Sequence, residues 1–366
     1  MSCDFLALAN AGVQGLSPYQ GGKPIEELQR ELGLSHIVKL ASNENPLGPS
    51  AAVLEAINSH SSDIHRYPDG NAFSLKQALS SLLTIESAQL TLGNGSNDVL
   101  DLVAQVFLGQ GSSAVISEHS FVVYSLAIQA ANAEAIVVPA SNWGHDLEAM
   151  AASVRDDTRV MFIANPNNPT GTWVDEAALR KLLDKVPEHV VVVLDEAYFE
   201  YVDESEYPDG ISLLSQYPNL IVTRTFSKAY GLAGLRVGYS VSSPELADLL
   251  NRVRGPFNVN SLALAAAEAA IADSDYLLQA KAVNKAGLSQ LEAGLDKLGL
   301  SYIPSVGNFL TFEVAGGDAT ACYEKLLHQG VIVRPIGVYG MPDHLRVSVG
   351  LEEENDFFLA ALSKVL

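Results

Sequence analysis

Lys228 stands among small, apolar and glycine residues in the run Thr225-Phe226-Ser227-Lys228-Ala229-Tyr230-Gly231-Leu232-Ala233-Gly234-Leu235-Arg236-Val237-Gly238. Such a setting desolvates an ammonium group and lowers its pKa, as a lysine that condenses with a carbonyl requires. Ser227 beside it and Arg236 eight residues on are spaced to hold a phosphate near that amine. A solvated loop lysine is the plainer alternative. Asp195-Glu196-Ala197-Tyr198 follows the valine run 190–194. A carboxylate at the mouth of a buried strand is costly unless it meets a cation or donors, and Tyr198 is spaced to reach the same cavity. Capping of the next segment is the other use of Asp195. Asn165-Pro166-Asn167-Asn168-Pro169-Thr170-Gly171 also follows a strand. Its two X-Pro bonds constrain the backbone and make a cis peptide plausible, where ligands of open α/β sheets bind. It reads equally well as a plain loop. Gly93-Asn94-Gly95-Ser96-Asn97-Asp98 joins a strand to a helix, an arrangement that offers backbone N–H groups to an anion. A dinucleotide fingerprint would need glycine at 98, so a tight turn with an N-cap remains open.

The elements that must position these residues alternate from about residue 88. Short β-branched runs at 89–92, 114–117, 135–139, 159–164, 190–194, 220–223 and 236–241 predict seven strands. Helical stretches at 96–108 and 121–131 lie between the first of them. The run Val190–Leu194 lacks alternation, which predicts a strand buried on both faces. Strands separated by helices predict an α/β domain around a mostly parallel sheet. After Gly255-Pro256, residues 261–299 read as one or two long helices. The tail reads as strands at 309–314, 331–334 and 345–349, with helices at 319–329 and 352–364. The expected organisation is an arm over 1–40, irregular at its start, a large domain over 41–260 and a small α+β domain over 261–366.

The 366 residues carry 22 Lys+Arg against 43 Asp+Glu, a net charge of −21, which disfavours polyanionic partners such as nucleic acid or an anionic membrane. With 48% hydrophobic and 18% charged residues, the composition is too apolar for acidic disorder. Cys3 and Cys322 fit neither a disulfide framework nor a zinc site, so no metal is expected. The start lacks a basic n-region, no apolar run reaches membrane-spanning length, and the Asn94 sequon has no secretory context. A soluble, reduced, cytoplasmic protein is expected. The charge is uneven: residues 221–260 hold Arg224, Lys228, Arg236, Arg252 and Arg254 against Glu245 and Asp248, marking that stretch as an anion site.

Taken in order, glycine loop, Asn-Pro loop, Asp-x-x-Tyr, Ser-Lys and Arg, the motifs resemble those of fold-type I pyridoxal-phosphate enzymes of the aspartate-aminotransferase superfamily. Ser17–Pro24, Leu40–Gly48, Arg66-Tyr67-Pro68-Asp69 and Leu345–Gly350 make the chain similar, more narrowly, to histidinol-phosphate aminotransferases over nearly its whole length. His119-Ser120-Phe121 departs from that pattern, where Pro-Thr followed by Tyr or Phe is common. The resemblance implies an α/β large domain with a mostly parallel seven-stranded sheet flanked by helices, plus a smaller α+β domain. It implies pyridoxal 5′-phosphate as cofactor, carried and proton-shuttled by Lys228, with Asp195 on the pyridine nitrogen. Tyr198 and Asn168 would bond the ring 3′-oxygen, and Phe121 would stack on the ring. Gly95, Ser96, Asn97, Thr225, Ser227 and Arg236 would complete the cofactor site, with Tyr67 reaching the phosphate from the partner subunit of a homodimer. Tyr19, Asn43, Arg334 and Arg346 would bind substrate, a guanidinium fork suiting a carboxylate or a phosphate. For Arg346 a surface-strand cation is the other reading. The implied reaction is ping-pong amino transfer between histidinol phosphate and 2-oxoglutarate. Its rivals are aromatic-amino-acid transamination and decarboxylation of threonine phosphate.

Overall fold

A computed structural model describes residues 3–18 and 21–366, so Tyr19 lies outside the described residues. Seven strands form the main sheet: β1 (Leu90–Gly93), β2 (Ser113–Ser117), β3 (Glu134–Val138), β4 (Thr158–Ala164), β5 (Val191–Asp195), β6 (Leu220–Thr225) and β7 (Gly238–Ser242). Their order across the sheet is β1-β7-β6-β5-β4-β2-β3. All neighbours are parallel except around β7, which runs antiparallel to both β1 and β6. The unalternating valine run is buried along its whole length, because helices cover both faces of the sheet. One core fills one face around Met161, Ile163, Val192 and Leu194, and another fills the opposite face around Phe162, Val191 and Val193.

Register places the chemistry at one edge. Ala164, Asp195 and Thr225 end adjacent parallel strands, so the segments leaving them emerge side by side. Antiparallel β7 then begins where β6 ends, with Gly238 opposite Thr225 on one side and Gly93 on the other. The glycine loop after β1, Arg236 before β7 and the Ser227-Lys228 segment after β6 therefore meet.

A second core lies between a four-stranded antiparallel sheet and three helices, Ser274–Leu298, Ala319–His328 and Glu352–Val365. The sheet runs Arg334–Pro335, His344–Ser348, Phe309–Glu313, Tyr302–Ile303. The single strand expected at 331–334 is two: Val331–Ile332 pairs in parallel with Val38–Lys39, and Arg334–Pro335 turns to pair with His344–Ser348. The helix Ser261–Ala272 buries Ala263, Ala266 and Ala267 in the first core, where Val53, Leu75 and Leu79 of helices Ala51–His60 and Phe73–Leu83 also sit. Those last two helices precede the stretch read from the sequence. Further along the N-terminal arm, Ile25–Leu32 is a helix that buries Leu28 and stops at Gly33 in the left-handed region. No helix among the described residues is long and apolar enough to cross a membrane.

Candidate active site

A cleft opens at this edge, between the main sheet and the smaller one. Ser96, Asn97, Phe121, Asn168, Asp195, Tyr198, Thr225, Ser227, Lys228 and Arg236 line it from the main-sheet side. Asn43, Arg334 and Arg346 line the opposite wall. Both X-Pro bonds of the Asn-Pro loop are cis, at Asn165-Pro166 and Asn168-Pro169.

Lys228 is half-buried, and its Nζ donates to the Ser42 carbonyl at 3.0 Å. Burial brings the amine down from 10.5 to about 7, helped by the positive charges of Arg346 and Arg236. Asp195 accepts at Oδ1 from Thr223 Oγ1 at 2.8 Å and at Oδ2 from Tyr124 Oη at 2.9 Å. Both donors are neutral hydroxyls. Burial accordingly pushes the carboxyl up from its ordinary range, against the pull of these bonds, the Ala197 N–H and the Lys228 charge. A cation meeting Asp195 from the cleft would remove that penalty. Tyr198 is buried, its phenol is pushed up to about 12 by burial, and its Oη accepts from Asn43 Nδ2 at 2.9 Å. Asn43 itself is held by Ser348, whose hydroxyl accepts from its backbone N–H at 2.8 Å and donates to its side-chain Oδ1 at 3.1 Å.

At the other end Arg236 donates to Ser227 Oγ at 3.2 Å. Gly95 has φ +86°, and a Cβ there would come within 2.4 Å of the Arg236 guanidinium, so only glycine lets the loop close on that arginine. Ser96 and Asn97 open the helix Ser96–Phe107, and their backbone N–H groups belong to its positive end. A Cβ on Gly238 would stand 2.4 Å from the Ser96 nitrogen, which is how tightly β7 packs under this turn. The arrangement is an anion cradle of hydroxyl, guanidinium and helix N-terminus.

On the opposite wall Arg346 is buried. It donates to Asn168 Oδ1 and, at 2.9 Å, to the Ala41 carbonyl. With its oxygen taken by Arg346, the Asn168 amide NH₂ is left for the cleft. Arg334 stands opposite Arg346 in strand register, so two guanidinium groups face the same space.

Two expectations need correction. The cations of 221–260 do not gather at the cleft. Thr223 and Thr225 face it, so strand alternation turns Arg224 away, into a buried ion pair with Glu196 Oε2 at 2.7 Å and a second with Asp209. Arg252 is an exposed partner of Asp248, and Arg254 bonds Asn251, Asn258 and the Gly70 carbonyl. The site's positive charge comes from Lys228 and Arg236 together with Arg334 and Arg346. Surface placement of Arg346 is likewise excluded by its burial. Tyr67 does not reach the cleft of its own chain; it is 83% exposed and stacked on Phe257 at 4.8 Å. Sequence reasoning missed Tyr124, Thr223 and Tyr339, the last a wall of the cleft. Tyr124 follows Phe121 by one helical turn and Thr223 is the strand partner of Asp195, but the bonds of both to Asp195 come from the fold and not from any local spacing.

These residues fit pyridoxal phosphate. An uncompensated buried carboxylate suits a protonated ring nitrogen, a depressed lysine suits a carbonyl, and the Gly95–Arg236 cradle suits a phosphate dianion. The lysine shift also predicts a stability effect in the cofactor-free protein. Below about pH 7 the amine is charged in both folded and unfolded chains, and its burial destabilises the fold in full. Between 7 and 10.5 only the unfolded chain keeps the proton, so stability rises with pH. Lys228→Leu is therefore expected to stabilise the cofactor-free protein at pH 7 by on the order of a few kcal/mol, and by much less near pH 10. Urea unfolding at both pH values measures this, and a pH-independent gap would refute the depressed amine.

Residues 35–362 match the family model for class I and II aminotransferases. Over 365 residues the chain is 60% identical to histidinol-phosphate aminotransferase 2 of Pseudomonas aeruginosa, covering 99% of each. Over 363 residues it is 57% identical to histidinol-phosphate aminotransferase 1 of Nitrosococcus oceani, covering 99% of this chain and 98% of that one. Among solved structures it resembles histidinol-phosphate aminotransferase from Sinorhizobium meliloti in complex with pyridoxal-5′-phosphate, with a TM-score of 0.90 and 31% identity over 97% of this chain and 96% of that one. Aspartate aminotransferase of Thermus thermophilus shares the fold at a TM-score of 0.86 and 21% identity, over 98% and 99% of the two chains. A lowered lysine beside a buried aspartate, on a scaffold matched almost end to end, places this chain among the class I and II aminotransferases.

Proposed function

We propose that this aminotransferase moves an amino group between L-histidinol phosphate and 2-oxoglutarate, giving imidazole-acetol phosphate and L-glutamate, a step of histidine biosynthesis. The observation that carries the substrate assignment is the near-complete, 60% identical match to a relative of that name. The chemistry of the wall supports it. Arg334 and Arg346 offer paired guanidinium forks, which suit the phosphate of one substrate and the carboxylates of the other.

Pyridoxal phosphate, when bound, supplies the electron-poor ring that takes up the electron pair of the substrate Cα–H bond. The protein does the rest. Lys228 Nζ, in part uncharged near neutral pH because its pKa is brought down to about 7, would accept the Cα proton and give it back on the same side of the cofactor. Asp195 holds the proton on the ring nitrogen, while Thr223 and Tyr124 fix the orientation of its carboxylate. Tyr198 and the Asn168 amide would bond the ring oxygen and Phe121 would cover the ring face, while Thr225 helps close the Ser227 turn by accepting from its N–H at 3.1 Å. Ser227, Arg236 and the Gly95–Asn97 turn anchor the phosphate and so set where the ring lies. Asn43 and Tyr19 complete the substrate side in this reading.

The test is purified protein with histidinol phosphate and 2-oxoglutarate, following glutamate and CO₂. Glutamate without CO₂ is expected. CO₂ release would instead mark a decarboxylase, and comparable kcat/KM with phenylalanine would mark an aromatic aminotransferase.

We also propose that the active unit is a cytoplasmic homodimer in which Tyr67 reaches the partner's phosphate site. Tyr67 is exposed and stacked on the exposed Phe257, and Ile64 and Phe73, close to it in sequence, are exposed as well. Mixing refolded Lys228→Ala and Tyr67→Ala chains is expected to restore activity that neither has alone, because each mixed dimer holds one intact site. No recovery in mixtures that form dimers would sink the idea.

A further inference from the structure

We propose that His119 is a positioning residue that clamps the substrate-facing wall of the smaller unit to the cofactor-facing loop of the larger one. It follows β2 in the larger unit, with its backbone in the left-handed region at φ +56°. Asn167 Nδ2 donates to the His119 carbonyl at 3.1 Å, and the same amide group bonds Thr170 Oγ1 at 2.8 Å, so the backbone is tied to the Asn-Pro loop. The side chain crosses the seam. Its Nδ1 lies 2.6 Å from the carbonyl oxygen of Tyr339, which has no hydrogen to give, so Nδ1 is the donor. The imidazole side chain is only 9% exposed. It packs on Gly340, where an added Cβ would sit 3.5 Å from the ring. Trp143 flanks the ring at 5.4 Å and meets His344 of the smaller sheet at 5.1 Å, a second contact over the same seam.

What this clamp holds gives it a consequence for binding. Phe121, two residues after His119, faces the cleft from the larger unit, and Tyr339 and Arg334 face it from the smaller one. Tyr339 ends the short turn Gly337–Tyr339 that leads out of the Arg334–Pro335 strand. The bond at Tyr339 is therefore one of the ties, with Arg346 to Asn168 and Thr311 to the Pro169 carbonyl, that set the separation between the ring-covering loop and the wall bearing the guanidinium groups. No atom of His119 is needed for proton transfer. Its loss should loosen substrate without removing the chemistry, which is a KM effect rather than a kcat effect. The inference rests on the reading of that wall as the substrate side.

Asparagine and aspartate separate donor chemistry from shape. Both tolerate a left-handed backbone, and both place an atom near the position of imidazole Nδ1. Only asparagine can donate there; the carboxylate of aspartate would face the Tyr339 carbonyl with like charge. His119→Asn is expected to restore wild-type KM for histidinol phosphate and 2-oxoglutarate. His119→Asp is expected to raise both by about tenfold, the scale of one lost hydrogen bond with an unpaired acceptor, while kcat changes less. The Kd of 2-oxoglutarate for cofactor-loaded Lys228→Ala protein, measured by calorimetry, should weaken in parallel when His119→Asp is added. Equal KM values for the two variants, or a fall in kcat at constant KM, would overturn the proposal. If His119→Asp does not fold, His119→Gly removes the ring without backbone strain and should show the same rise in KM; an unchanged KM there overturns it too. A wild-type enzyme that ignores histidinol phosphate would end the substrate assignment alone, since the comparison still runs as exchange of isotope-labelled 2-oxoglutarate with glutamate.

Discussion

Lys228→Ala is expected to lower kcat by about 10⁴-fold or more, the scale of losing both a positioned base and the amine that holds the cofactor carbonyl. The expectation rests on the environment of Nζ rather than on the residue type. The side chain is half-buried, its Nζ donates to the Ser42 carbonyl, and desolvation together with the charges of Arg346 and Arg236 opposes its protonation. A group brought to about 7 is divided between its two protonation states near neutrality, where a base that must take and return the same proton works best. Lys228→Arg tests the same point from the other side. Arginine keeps the length and the charge but does not give up its proton, so the variant should be as inactive as alanine despite the milder change. Borohydride treatment of cofactor-loaded wild type followed by peptide mapping should place the label on Lys228. Label on another lysine, or more than a few per cent of wild-type turnover in Lys228→Arg, would contradict the assignment.

How much of this was legible in the sequence depended on whether the signal was local. The valine run, the glycine-broken lysine loop and the double Asn-Pro loop each declared themselves within about a dozen residues. All seven main strands were foreseen because each is a short apolar run between helices. Their convergence followed from one rule, that parallel strands end at the same edge. What could not be read was the partnership between residues distant in the chain. Tyr124 is an unremarkable helical tyrosine until Asp195 is seen 2.9 Å away, 71 positions later. Arg224 adds to a positive count in sequence, yet strand alternation turns it to the far side, where Glu196 and Asp209 neutralise it. Counting charge along a window failed there because side-chain direction, with period two, was not part of the count. Tyr339 gave no signal at all, since a tyrosine in a Gly-rich turn has many uses. The split of 331–334 into two strands was hidden for a related reason: the four residues read as one continuous run, and the change of partner at Val333 is set by strands distant in the chain.

Asp195→Ala should cost roughly 10³-fold in kcat, as for loss of one preorganised electrostatic partner, while borohydride still fixes the cofactor to Lys228. Shape and charge are separable here. Asp195→Asn can still accept from Thr223 and Tyr124, so the strand ends stay in place, but it carries no charge to hold a proton on the ring nitrogen. If the carboxylate acts through that charge, asparagine is nearly as damaging as alanine. If it acts only by fixing neighbours, asparagine is mild. Tyr124→Phe and Thr223→Val complete the contrast. Each removes one neutral donor and leaves the charge, so each should reduce kcat only about fivefold, in line with one hydrogen bond. Their loss also removes a force that lowers the carboxyl pKa, so the aspartate binds a proton more readily. The acidic limb of the kcat profile, if Asp195 controls it, should then move to higher pH in both variants. An asparagine variant with near-wild-type turnover would refute the electrostatic role. A limb that stays where it was would show that another group sets it. On this proposal the hydroxyl pair, with the Ala197 N–H and the Lys228 charge, is what lets a carboxylate pushed toward neutrality by burial keep the charge that a ring nitrogen would require.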